Sequence, residues 1–300
     1  MSRPVAQAPP ARRLVAGGGV RRRKIANRLV EGSWLVASGG AVAVLAVVTI
    51  SVLLKGIPAL NLDLLTKTQE VFGQSGGGIE HALIGTLILI GLATTFALPV
   101  GVLAAIYVSE LADRRVAHAI RLALDVLNGL PSIVIGIFVF TLIVVGRGQS
   151  GWAGAIALAI VMLPLVARAT QEVLALVPKQ LREASLALGV SRWRTIVSVV
   201  LPTTLSGILT GTSLAIARAA GETAPLLFTS TLFATQSVTT DPGKALASIP
   251  VVIFEYSEAP DRSLNDQAWA AAFLLIAFVL VTSLLSRALL ARTRRRLEGR

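Results

Sequence analysis

The sequence predicts an all-α polytopic membrane protein with about six transmembrane helices. The hydrophobic share is 54% and only 15% of the residues are charged, against about 25% in soluble domains. The apolar residues fall in long uncharged runs rather than in periodic amphipathic faces, and roughly 20 such residues cross a bilayer as a helix. The 300 residues include no Cys, which excludes a disulfide framework and any thiolate metal site.

Six charge-free stretches are long enough to span a bilayer as helices, in which the backbone satisfies its own hydrogen bonds. They cover residues 34–54, 82–109, 126–146, 148–167, 195–217 and 267–286. A seventh stretch, residues 223–240, contains Pro225 and many Ser, Thr and Gln residues. We interpret it as a loop, a re-entrant segment or a continuation of the fifth helix.

The distribution of basic residues predicts the topology. Both the N-terminal arm and the C-terminal tail are rich in Arg, so both are expected in the cytoplasm and the number of spans is even. Six spans then place 22 of the 28 Lys and Arg residues in the cytoplasm. The net charge of +12 is therefore explained by a multi-pass protein of the plasma or inner membrane, with tail arginines at anionic lipid, and predicts no nucleic-acid partner.

Four regions follow from these spans. Residues 1–33 are a basic cytoplasmic arm that is expected to be disordered, and residues 34–81 comprise the first transmembrane helix and an outer loop. Residues 82–290 form the core with spans two to six, and residues 291–300 are a basic cytoplasmic tail. Residues 107–124 predict a short amphipathic helix, and residues 168–194 form the longest structured cytoplasmic connection.

Catalytic and cofactor motifs are absent from the sequence. It contains no G-x-x-x-x-G-K-[ST] phosphate loop, so this chain is not expected to bind a nucleotide by that mechanism. His81 and His118 lie on opposite sides of the membrane in the six-span topology and cannot jointly ligate a metal. We therefore predict no enzyme activity, no metal and no cofactor in this chain. Gly207 and Gly211 form a GxxxG pattern that predicts close helix packing.

The cytoplasmic segment after the fourth span predicts a short helix followed by a corner. Pro178 is suited to a helix N-terminus and Gly189 to a helix C-terminus, before Ser191 can cap the next turn. An apolar face is formed by Leu181, by Ala184 or Ser185, and by Leu188. Two interpretations remain open: the helix lies on lipid, or it docks into a groove of a partner.

The same segment resembles the coupling loop of bacterial ABC importer permeases. The matching positions are Glu183, Ala184, Ser185, Gly189, Val199, Leu201 and Pro202. Two depart conservatively from the family pattern, Ser185 from Ala and Val199 from Ile. The resemblance implies a type I ABC permease core, with a coupling loop at residues 171–202 in which Glu183, Ala184, Ser185 and Gly189 contact a cytoplasmic ATPase. ATP and Mg²⁺ would then be bound by that partner.

Arg218 and Glu222 form a charged pair near the end of the fifth span. From Pro202 to Arg218 the helix rises roughly 24 Å, which leaves Arg218 short of the far edge of a core of about 30 Å. Such a charge is costly unless it faces protein or water, and Glu222 lies one helical turn further on. The pair is either a structural salt bridge or a station in a translocation path, where a guanidinium suits a tetrahedral oxyanion.

Residues 221–227, Gly-Glu-Thr-Ala-Pro-Leu-Leu, resemble the PstA-type permeases of phosphate importers. The resemblance implies that Arg218, Glu222 and Thr223 belong to the pathway for inorganic phosphate. The implied partners are a PstC-type permease, a PstB-type ATPase dimer and an extracytoplasmic phosphate-binding protein. A permease for another oxyanion (molybdate, sulfate or phosphonate) is the alternative, and an ATP-independent carrier is a more distant one.

Overall fold

The computed structural model describes residues 18–69, 77–231 and 237–297, and within these ranges all regular structure is helical. The chain forms two compact units, residues 1–51 and residues 52–300. The first unit consists of most of helix α1 (Gly18–Gly56). Because α1 begins well before residue 34, residues 18–33 are helical where the sequence analysis expects a disordered arm. Residues 1–17 lie outside the described ranges.

The second unit contains the remaining helices. In chain order these are α2 (Leu62–Thr66), α3 (Glu80–Ile106), α4 (Arg114–Gly129), α5 (Ser132–Val139), α6 (Gly151–Ala175), α7 (Lys179–Ala187), α8 (Arg192–Thr195), α9 (Leu201–Ala220), α10 (Ala224–Thr229), α11 (Ile249–Glu258) and α12 (Arg262–Leu297). Five-residue π-helical turns extend α3 to Leu111 and α5 to Val144, and a third joins α8 to α9. A 3₁₀ turn follows α1 at Ile57–Ala59.

Five helical stretches in the described chain are long and apolar enough to cross a membrane. They are Arg22–Ala59, Glu80–Leu111, Gly151–Ala175, Arg192–Ala220 and Arg262–Ala288. They contain the predicted spans at 34–54, 82–109, 195–217 and 267–286, and α6 covers the predicted span at 148–167 from Gly151 onward. The structure describes parts of the seventh uncharged stretch, namely the short helix α10 and two flanking segments. These parts are consistent with the prediction that residues 223–240 do not span the membrane.

The third predicted span, residues 126–146, is not one straight helix. Helix α4 ends at Gly129, and the following segment Ser132–Val144 is bent from it by 98°. The cause is Pro131, which lacks an N–H and forces the preceding Leu130 into an extended conformation, with φ −70° and ψ 136°. Counted as one span, this bent pair brings the candidate spans of the described chain from five to six, and charge-free length alone did not reveal the bend.

Helices α3, α6 and α9 pack together and form the core of the second unit. Its buried residues include Leu89, Ala93, Leu158, Met162, Ala215 and Ala219. The GxxxG prediction is confirmed, because a Cβ at Gly211 would lie 2.3 Å from the Cβ of Ala169, and one at Gly207 would lie 2.5 Å from Val173 Cγ1. The two glycines thus let α9 lie directly against α6, which fixes the position of α9 in the bundle.

Candidate functional site

The two sets of residues singled out by the sequence lie near opposite ends of one continuous helical stretch. Helix α8, the π-helical turn and α9 run without interruption from Arg192 to Ala220. From Thr195 to Arg218 this stretch rises roughly 35 Å at 1.5 Å per residue. Ser185 contacts the stretch at Thr195, and Arg218 belongs to its last turn.

At the first end, α7 and α8 meet at a corner centred on Gly189; we refer to residues 179–195 as the α7–α8 corner. Gly189 has φ +78°, a left-handed conformation that residues with a Cβ resist. The N–H of Gly189 donates to the carbonyl of Leu186 at 2.9 Å, and the N–H of Val190 donates to that of Ser185 at 3.2 Å. These are the two hydrogen bonds of a Schellman C-cap, so the predicted glycine stop is confirmed.

A buried hydrogen bond closes the corner. The Ser185 and Thr195 hydroxyl oxygens are 2.9 Å apart, and both side chains are buried. Ser185 is thus the position of the predicted triplet that faces inward, whereas Glu183 and Ala184 are exposed. Because Thr195 is near the start of the continuous helix, this bond ties α7 directly to the stretch that has Arg218 in its last turn.

A second contact that holds α7 in place, an ion pair with the turn after α3, was not predicted from the sequence. Arg182 of α7 forms a bidentate ion pair with Glu110 in the turn that extends α3, with Nη2–Oε1 2.6 Å, Nε–Oε1 3.1 Å and Nε–Oε2 3.2 Å. Arg182 also donates to the carbonyls of Val177 at 2.7 Å and Leu174 at 2.9 Å. The two side chains are only 22% and 11% exposed. One guanidinium therefore connects α7, the end of α6 and the end of α3.

The outer side of the α7–α8 corner is an exposed apolar surface. Leu181, Leu186, Leu188 and Trp193 are all exposed, next to the exposed Glu183 and Ala184. The predicted apolar face of α7 therefore exists, but Leu181, Ala184 and Leu188 point away from this chain while Ser185 points into it. A surface of this kind on a monomer is typical of a lipid or protein contact.

At the other end of the continuous helix, Arg218 and Glu222 are brought together, but loosely. Arg218 Nε lies 3.7 Å from Glu222 Oε1, which is too long for a hydrogen bond. Arg218 is 57% exposed and Glu222 is 15% exposed. The guanidinium thus keeps its two Nη groups on an open face of α9, beside the exposed Leu214, where they can donate to an oxyanion.

The chain directly beyond Arg218 packs into the helix bundle. The chain continues beyond Gly221 into α10, which packs against α5 and α6. At the far end of α10, the carbonyl of Thr229 accepts from the N–H of Ser150, just before α6 begins. Thr223 is the residue directly before α10, and its carbonyl accepts from the N–H groups of Leu226 and Leu227. Thr223 thus supports the break between α9 and α10, next to Glu222.

Comparison with known proteins identifies the family. The binding-protein-dependent transport system inner membrane component family matches residues 97–296. A curated relative from Haemophilus influenzae, the phosphate transport system permease protein PstA, is 40% identical over 88% of this chain and 94% of its own length. A protein of the same name from Yersinia pestis is 42% identical over 81% of this chain and 82% of its own length.

Solved structures show the same fold at low sequence identity. The inward-facing MetNI methionine ABC transporter matches with a TM-score of 0.57 and 18% identity, over 72% of this chain and 94% of that one. A bacterial alginate ABC transporter matches with a TM-score of 0.61 and 14% identity, over 86% of this chain and 94% of that one. The chain therefore belongs to the inner-membrane permease components of ABC importers, and within them to the PstA family.

Proposed function

We propose that this chain is the permease subunit of an ATP-driven phosphate importer and forms half of its translocation pathway. The observation that carries the proposal is the 40% identity to a phosphate transport permease over 88% of the chain. The geometry supports it, because a candidate docking surface and a candidate anion station lie near the two ends of one continuous helix. The other half of the pathway would be a PstC-type permease.

The α7–α8 corner is the proposed contact with the ATPase. Its exposed residues Glu183, Ala184, Leu188 and Trp193 would enter a groove of a PstB-type ATPase dimer, which would hold ATP and Mg²⁺ and supply the chemistry that this chain lacks. The buried Ser185 and the half-buried Arg182 would keep the corner rigid. A displacement of α7 would then reach α9 through the Ser185–Thr195 bond and reach α3 through Glu110.

Arg218 is the proposed station for the anion. An extracytoplasmic binding protein would deliver phosphate, and the two Nη groups of Arg218 would bind its oxygens in the bidentate geometry that suits a guanidinium. Glu222, 3.7 Å away, would partly balance the positive charge, so that the anion binds weakly enough to leave again. Thr223 would hold the α9–α10 break that positions Glu222.

The function is tested by reconstituting this chain with the companion permease, the ATPase and the binding protein in liposomes. We expect ATP-dependent uptake of radioactive phosphate that excess molybdate, sulfate or phosphonate does not suppress. ATP-dependent uptake of one of those anions without phosphate uptake would replace the proposal by the oxyanion alternative. Phosphate uptake without ATP or ATPase would instead indicate a carrier.

Substitution of Gly189 tests the corner. A Cβ at Gly189 meets nothing within 4 Å, so Gly189→Val should act through the backbone alone, at a cost of about 1–2 kcal/mol for the left-handed conformation. We expect loss of most ATPase co-purification and phosphate uptake from Gly189→Val, with normal insertion in the membrane. Gly189→Asn is the matched control, because Asn tolerates this conformation, and it should keep both. Equal behaviour of the two variants would contradict this role.

The proposed topology has both termini and residues 168–194 in the cytoplasm, and it can be tested directly because the chain has no Cys. A single Cys replacing Arg300 should be labelled by a membrane-impermeant maleimide only after the cells are opened. Arg147→Cys, in the exposed turn between the third and fourth spans, is expected to react in intact cells. Labelling of the tail Cys from outside would overturn the six-span topology.

A further inference from the structure

Helix α4 is covered by protein along only one narrow side. Ala117 and Leu124 are buried, and Ile120 and Leu127 are half-buried. These positions recur at spacings of three and four residues and pack on α6 and on the turn after α3. Apart from the ion pair of Asp125 with Arg168, the rest of the helix surface is exposed in the part of the chain that the structure describes.

The uncovered surface of α4 has an apolar side. Leu122 and Val126 are each 56% exposed, and Val116 and Leu130 at the C-cap are also exposed. Leu122 and Val126 are four residues apart, so they form an apolar strip along the second half of α4, beyond the exposed Arg115 on the same face. Such a strip is unfavourable in water, but it is the usual contact of an interfacial helix with acyl chains.

The other uncovered side of α4 is a stripe of charge. Arg114, His118, Arg121 and Asp125 follow one another at spacings of four, three and four residues, which places them on one face. Asp125 is the one acidic residue of α4, and its carboxylate is ion-paired with Arg168 of α6. The neutralised Asp125 leaves the stripe positive, with the exposed Arg114 and Arg121 as its permanent charges.

The bend at Pro131 indicates the depth of α4. The segment Ser132–Val144 rises only roughly 20 Å, less than the hydrocarbon thickness of about 30 Å. A segment of this length that starts at one membrane surface ends short of the other, so α4, which turns off from it by 98°, would lie inside the edge of one leaflet rather than above it. From that depth the Arg side chains can extend to the headgroup layer while the apolar strip stays among acyl chains.

We propose that α4 is an interfacial helix that binds anionic phospholipid, with Arg114 and Arg121 contacting the headgroup phosphate in the leaflet next to α7. Guanidinium groups pair with phosphate in a bidentate manner, and juxtamembrane basic residues contribute about 1 kcal/mol each at an anionic surface. The site requires the chain to be in a membrane but does not depend on which anion the importer carries.

The depth of α4 is tested on the full chain in nanodiscs with nitroxide labels at single cysteines. Labels at Leu122→Cys and Val126→Cys should be more accessible to dissolved oxygen, which concentrates in lipid, than to a water-soluble nickel chelate. A label at Asn128→Cys, close to the charged stripe, should show the opposite order. Preferential exposure of positions 122 and 126 to the nickel chelate would place α4 in water and overturn the proposal, leaving its surface to a soluble partner.

The headgroup preference is tested by electron paramagnetic resonance with spin-labelled phosphatidylglycerol and phosphatidylcholine. We expect the full chain to immobilise phosphatidylglycerol at least about twofold more. Arg114→Gln with Arg121→Gln should lower this excess measurably, whereas Arg114→Lys with Arg121→Lys should keep more of it. Arg192→Gln with Arg194→Gln removes the same charge from exposed positions on α8 and should keep the excess. No preference in the native chain, or equal losses in both Gln variants, would overturn the site.

Discussion

Arg182→Ala is expected to remove the ATPase from the purified complex and to abolish phosphate uptake. The substitution leaves the Glu110 carboxylate, only 11% exposed, without its ion-pair partner, and it leaves the carbonyls of Leu174 and Val177 without the Arg182 donors. Breaking a buried pair of this kind costs about 3–5 kcal/mol, and the partial exposure of Arg182 favours the lower end. The α7–α8 corner should therefore detach from α3 and α6.

A charge-swapped variant shows whether Arg182 acts only through its ion pair with Glu110 or also through its hydrogen bonds to two backbone carbonyls. Glu110→Arg with Arg182→Glu restores opposite charges but places a carboxylate, which cannot donate, against the two carbonyls. We expect this variant to assemble poorly, and Arg182→Lys to retain intermediate ATPase binding because Lys keeps the charge and some donors. The measurements are ATPase co-purification and ATP hydrolysed per phosphate transported. A fully active swapped variant would show that the hydrogen bonds to the two carbonyls are not needed and that the charge pair alone is sufficient.

The α7–α8 corner was predictable from the sequence, but the ion pair that holds it to the end of α3 was not. Pro178 and Gly189 act on their own backbone, so local rules predict where α7 begins and ends. Glu110 and Arg182 are 72 positions apart, and no spacing rule connects them. The sequence offered only an acidic residue directly after an apolar span and an arginine beside the Glu-Ala-Ser triplet. Their pairing depends on how α3 and α6 pack.

The spans were predictable as uncharged lengths, but their internal breaks were less so. Hydropathy treats residues 126–146 as one segment, whereas Pro131 divides them between the end of α4 and the segment Ser132–Val144, which is bent from α4 by 98°. A proline inside an apolar run can kink a helix, end it, or be accommodated within it. Pro99 in α3 and Pro164 in α6 are accommodated within their helices. Neighbouring helices decide among these outcomes, and a single sequence does not contain that information in a local pattern.

Loss of transport in an assembled Arg218→Gln, Glu222→Gln variant is the second large effect expected. The pair is separated by 3.7 Å and Arg218 is 57% exposed, so its contribution to folding should be at most about 1 kcal/mol. Removing both charges should therefore leave assembly and ATPase binding intact. If the guanidinium binds the anion, the lost charge-assisted hydrogen bonds of about 1.5–3 kcal/mol lower uptake by about tenfold to a hundredfold.

The single variants identify which charge matters. Arg218→Gln alone should reduce phosphate uptake as much as the double variant, because the station is lost in both. Glu222→Gln leaves the arginine in place and should instead tighten anion binding, with a lower KM and slower turnover. Arg218→Lys keeps the charge without the planar fork and should give intermediate uptake. Normal phosphate uptake by the assembled double variant would show that Arg218 and Glu222 are only a structural pair, since two amides in their place would then serve as well.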